Sequence, residues 1–144
     1  MNFPPVNQPI SGLIPEVWAR WFNDVKRLLD GTGLNTKIQT KLTTSDATQT
    51  TIQTLPLEDN TVYDVSAIIT GRNSSDRASY NIEGTVYREG GNAVIEGQTV
   101  VHSAESDSAW DATYTVSGND LRVSVTGTAG TDINWSCFFQ WVKS

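Results

Sequence analysis

Five stretches of this chain alternate apolar and polar residues with a period of two. Tyr63, Val65, Ala67 and Ile69 alternate with Asp64, Ser66, Ile68 and Thr70, and Tyr80, Ile82, Gly84 and Val86 with Asn81, Glu83, Thr85 and Tyr87. The pattern recurs in Trp110–Val116, Leu121–Thr126 and Ile133–Trp141. Successive side chains of a strand point to opposite faces, so this pattern predicts half-buried antiparallel strands. The punctuation agrees: Glu58-Asp59-Asn60, Gly71 to Asp76, Gly90-Gly91-Asn92, Ser103 to Ser108, Gly118-Asn119-Asp120 and Gly127 to Asp132 read as turns or loops. Gly90-Gly91 and Gly118-Asn119 are the strongest hairpin signals, because both supply residues tolerant of positive φ. The expected fold is mainly β: an antiparallel β-sandwich or jelly roll of about seven or eight strands over residues 48–144.

Upstream of the strands the composition changes twice. Residues 1–14 hold Pro4, Pro5 and Pro9; prolines this close fix φ and remove donors, so an extended arm is expected. It is either a clamp on a neighbouring subunit or a frayed terminus. Residues 15–31 read as one short amphipathic helix, with Pro15 and Glu16 suited to its start and Gly31 or Gly33 to its end. Positions 14, 18, 21, 25 and 28 form a heptad seam, and Val17, Phe22 and Leu29 widen it. A lone helix of this length is marginal in water, so the stripe of Trp18, Trp21, Phe22, Val25, Leu28 and Leu29 must dock. Two readings stay open: its own sheet, or symmetry mates and a larger host. Residues 32–47 are a threonine-rich link or a first strand; Leu34, Ile38 and Leu42 are spaced by four, so helix and strand are not separated there.

Composition removes several chemistries. One cysteine in 144 residues forbids an internal disulfide and any multi-cysteine metal site. The single histidine, His102, has no GxSxG elbow to serve. Glu96, Glu105, Asp107, Asp111 and Asp120 fall between Arg88 and Arg122 with no intervening Lys or Arg. They show no EF-hand spacing and single out no glycosidase pair, and an acidic rim protecting edge strands explains them. The expectation is therefore no cofactor, no metal and no enzyme. The net charge of −6 argues against a nucleic-acid partner. It divides unevenly, with five basic against three acidic residues in 1–41 and five against 13 beyond, so a +2 foot precedes a −8 head. No run of about 20 apolar residues predicts membrane insertion. The N-terminus lacks the features of a secretory signal, which suits synthesis in a reducing cytosol.

Aromatic residues are the remaining lead. Trp135 and Trp141 share a parity with Ile133, Cys137 and Phe139 and are expected in the core. Phe138 and Tyr87 stand on the opposite faces of their strands and are expected to make subunit contacts. Trp110 is a candidate glycan contact.

The order of modules resembles small virion structural proteins of tailed bacteriophages, including fibre, collar and capsid-decoration subunits. The likeness rests on a proline-containing arm leading into Pro15-Glu16-Val17-Trp18-Ala19-Arg20-Trp21-Phe22, a threonine-rich link, and a β module with Tyr63-Asp64-Val65-Ser66-Ala67, Gly71-Arg72, Gly84-Thr85-Val86-Tyr87-Arg88 and Val125-Thr126-Gly127 through Ile133-Asn134-Trp135. It implies a virion protein made in the host cytoplasm. In that reading it is a homotrimer attached through its N-terminal segments to capsid, portal or tail proteins. The alternative is a carbohydrate-binding β-sandwich acting as a receptor-binding module on surface glycans.

Overall fold

The computed structural model describes residues 14–29 and 35–144, with helix side chains described over 17–25. The chain divides into two units, Met1–Thr36 and Lys37–Ser144. Pro4, Pro5 and Pro9 lie outside the described residues, as do the side chains of Leu28 and Leu29.

In the first unit, helix α1 spans Ile14–Leu29. Its four-three spacing gathers three aromatic rings: Trp21 meets Trp18 edge-on at 5.5 Å and Phe22 at 5.0 Å between centroids. Phe22 remains 61% exposed. Among the described residues no helix is long and apolar enough to cross a membrane.

The second unit is a sandwich of eight strands, the first of which begins two residues before it: β1 (Asn35–Thr44), β2 (Thr50–Pro56), β3 (Thr61–Arg72), β4 (Arg77–Arg88), β5 (Val94–Glu105), β6 (Asp111–Ser117), β7 (Asp120–Thr126) and β8 (Ile133–Lys143). One sheet has the order β1-β8-β3-β4-β5 and the other β2-β7-β6. The threonine-rich segment left open between helix and strand thus contributes the edge strand β1; β-branched residues suit a pleated surface. Two expected loops are shorter than their composition suggests. Gly71 and Arg72 continue β3, and Ser103–Glu105 continue β5, because both segments pair with β4.

The alternating residues supply the core. Val65, Ala67 and Ile69 of β3, Ile82 and Val86 of β4, and Trp135, Cys137 and Phe139 of β8 face Tyr114, Leu121, Val123 and Val125 of the smaller sheet, all buried. Tyr114 spans the layers, donating its hydroxyl to the Ile82 carbonyl at 2.9 Å and packing against Phe139. Trp135 lies over Gly71, where a Cβ would fall 2.5 Å from the indole, and donates Nε1 to Thr44 at 2.9 Å. Ser117 and Asp120 pair across a two-residue turn whose first residue, Gly118, has φ 56°; glycine relieves the steric cost there.

β5 is an edge strand, and its ladder to β4 skips Glu96 and Val101, two bulges of the kind that deter pairing with another sheet. The amide of Gln98 closes the gap to the smaller sheet, accepting from Tyr114 N–H at 3.0 Å.

Candidate binding face

The outer face of the five-stranded sheet is set by strand parity. Since Tyr63, Val65, Ala67, Ile69 and Gly71 point inward, Asp64, Ser66, Ile68, Thr70 and Arg72 point outward. Register then places neighbours beside them. Ser136 and Asn134 of β8 stand opposite Thr70 and Arg72, Phe138 opposite Ile68, and Arg77 of β4 on the other side of Arg72.

At one end of this face a trough of about 580 Å³ is lined by Lys41, Thr43, Thr70, Arg72, Asn134 and Ser136, with Gly71 and Trp135 beneath. The Thr43 hydroxyl donates to Asn134 Oδ1 at 2.8 Å, which fixes the amide and leaves both of its N–H donors available. Among the described residues the side chains of Lys41, Arg72 and Arg77 make no hydrogen bond or ion pair. Arg72 and Arg77 nevertheless face each other across the ladder. Between them, Asn73 pins the four-residue hairpin by accepting from the N–H groups of Ser75 and Asp76 at 2.8 and 2.6 Å. Beside the trough, on the same face, stand half-buried Phe138 and Ile68, the latter 46% exposed.

A second trough of about 590 Å³ lies over β3, β4 and β5, with Asp64, Glu83 and Glu96 around Gly97. Along β3 its Asp64 is six residues from Thr70, or about 20 Å at the rise of a strand. Among the described residues no group of three His, Cys, Asp or Glu side chains is arranged to hold a metal ion.

Trp110 does not reach this face or any other. It is 2% exposed, packs on Trp135 at 5.5 Å and donates Nε1 to Thr128 at 3.1 Å, so the expected glycan contact is corrected to a core residue. The reason is parity: Trp110 shares it with buried Ala112 and Tyr114. Trp135 is buried and Trp141 packs partly against the core. Tyr87 is half-buried on the outer face, between Val62 and Val94. His102 is exposed on β5, opposite Asn81.

The carboxylates of the expected acidic rim are partly committed to the fold. Glu105 accepts from the Tyr80 hydroxyl at 2.6 Å, and burial together with that carboxylate raises the tyrosine's pKa. The N–H of Ala109, then the hydroxyl of Thr128, hold the Asp107 carboxyl below the usual range.

Neither a protein-family model nor a curated protein sequence matches the chain. Among solved structures it is similar to the tailspike protein gp49 of Acinetobacter baumannii bacteriophage Fri1, a capsular polysaccharide depolymerase, at 13% identity and a TM-score of 0.43. That likeness covers 76% of this chain and 18% of the tailspike. The tailspike of Acinetobacter phage vB_ApiP_P1 is similar at 13% identity and a TM-score of 0.36, over 73% of this chain and 21% of that one. A protein of the Bacillus endospore appendages, which form disulfide-linked pili, is similar at 16% identity and a TM-score of 0.31, over 75% and 88%. The expectation that the chain is no enzyme is withdrawn: the Fri1 tailspike, a similar structure, is a depolymerase, and that activity is the tailspike's own. These likenesses, to phage tailspikes and a pilus protein, single out no decoration or collar subunit.

Proposed function

We propose that the chain is a carbohydrate-binding β-sandwich module of a tailspike, tail fibre or comparable surface appendage, and that it holds glycan on the outer face of the five-stranded sheet. The observation that carries this reading is the trough of about 580 Å³, whose lining offers hydroxyl, amide and cationic groups. Sugars need hydrogen-bonding groups for their hydroxyls and an apolar surface for their C–H faces. Thr70, Ser136 and Asn134 provide the first, and Phe138 with Ile68, one step along the same face, the second.

A glycan array probed with the full chain tests this. Binding is expected, and Phe138→Ala and Asn134→Ala should each weaken it while leaving the melting temperature within a few degrees. An array with no bound glycan contradicts the reading.

The helix supports an assembly role beside this one. The Trp18, Trp21 and Phe22 cluster on α1, with Phe22 61% exposed, suits docking onto further copies or a host particle. A homotrimer in a virion is the form we propose. Light scattering that reports a monomer at micromolar concentration contradicts it.

A further inference from the structure

We infer that this trough selects glycans bearing a carboxylate, held by Arg72 of its lining together with Arg77, which stands beside the trough across the ladder from Arg72, with Asn134 and Lys41 as flanking donors. The inference rests on the carbohydrate reading and names its ligand class.

Three observations carry it. First, the charged groups lining the trough, Lys41 and Arg72, are both cations, and among the described residues no carboxylate lines it. Lys41 and Arg72 can only donate, and the NH₂ group of Asn134, whose oxygen is held by Thr43, adds two further N–H donors. Second, Arg72 and Arg77 are direct cross-strand partners on one face. Like charges so placed repel, and neither has a carboxylate partner among the described residues although the chain has 16 acidic residues. An anion between them removes the repulsion, and guanidinium groups match a planar carboxylate with two parallel bonds. Third, the cations are spread across the sheet. Lys41 lies on β1 and Arg72 on β3, with β8 between them, so their strands stand about 10 Å apart across the sheet at two strand spacings. A polymer laid across β8 meets both cations.

The test uses the full chain against a panel of uronate-containing bacterial capsular polysaccharides, each beside its carboxyl-reduced form, with neutral polysaccharides and a phosphate-bearing teichoic acid included. An acidic polysaccharide should bind, and its reduced form should bind roughly tenfold more weakly. Arg72→Ala and Arg77→Ala should each bring a comparable loss, with circular dichroism unchanged and melting no lower, since each removes one side of the repulsion. Arg72→Lys should recover only part of it, because the charge returns without the paired bonds. Affinity should fall as salt rises. Equal binding of the reduced form, or a preference for neutral or phosphate-bearing polymers, overturns the carboxylate assignment and leaves the carbohydrate reading standing. Acidic binding that survives both arginine substitutions overturns the site. Silence across the whole panel overturns the carbohydrate reading itself.

Discussion

Two troughs of nearly equal volume, about 580 and 590 Å³, lie on one face of one sheet and carry opposite charge. The backbone beneath them is the same kind of antiparallel ladder, so the difference comes from outward side chains and what braces them. The cationic trough sits over the buried Trp135, and its Asn134 is held by Thr43. The acidic trough reaches the edge strand β5, where two bulges interrupt the ladder and Gly97 has open space above it. Bracing by the core makes the first trough preorganised, which lowers the ordering cost of binding. Strand β5 places the second at the periphery of the sheet.

Removing the brace should have the largest effect. Trp135→Ala is expected to destabilise the sandwich by about 3–5 kcal/mol, read by chemical denaturation, because a large buried ring is replaced by a cavity. A loss below about 1 kcal/mol would mean that the cationic trough has no special support from the core. Reversing one charge should separate binding from stability. Arg77→Glu is expected to weaken binding of an acidic glycan roughly tenfold. It should also raise stability by about 0.2–1 kcal/mol, since Arg72 then faces a carboxylate. A fall in both quantities would contradict the view of this pair as an unrelieved repulsion.

Acid should act on the β5 side of the sheet. Asp59 accepts from the N–H of Gly90 at the β4–β5 hairpin, and Asp107 from the N–H of Ala109 just beyond β5. These bonds hold both carboxyls below the usual range. A depressed folded pKa gives stability that is present above the unfolded value, about 3.9, and is lost as pH falls through the folded one. Amide exchange at Gly90 and Ala109 should therefore accelerate below about pH 4, ahead of that in β8 and β3. The smallest effect belongs to the acidic trough. Glu83→Gln should change acidic-glycan affinity by less than about twofold, because a charge so far away is largely screened at physiological salt; a tenfold change would merge the two troughs into one site.

Much of this architecture can be read from the residues alone, because burial follows parity. The alternation over Tyr63–Thr70 and Ile133–Trp141 identifies the inward residues without any knowledge of pairing. The same rule places Trp110 inside, beside Ala112 and Tyr114, so its candidacy as a glycan contact contradicts a pattern already visible. The ends of strands are less legible: serines in Ser103–Glu105 look like a loop, and only their pairing with Ala78–Tyr80 makes them strand. The cationic trough is hidden for a related reason. Lys41, Arg72 and Asn134 come from three strands far apart in sequence, and their adjacency depends on register and sheet order. One local signal was available. Arg72 and Arg77 flank the turn residues Asn73 to Asp76, and a hairpin closing there must set the two arginines opposite each other.

The contrast between the troughs is tested most directly by amide chemical-shift mapping with an acidic oligosaccharide. Perturbations clustered at Lys41–Thr43, Thr70–Arg72, Arg77 and Asn134–Ser136 are the predicted result. Perturbations centred on Thr85 and Gly97–Thr99 would place the ligand over the carboxylates and contradict the account.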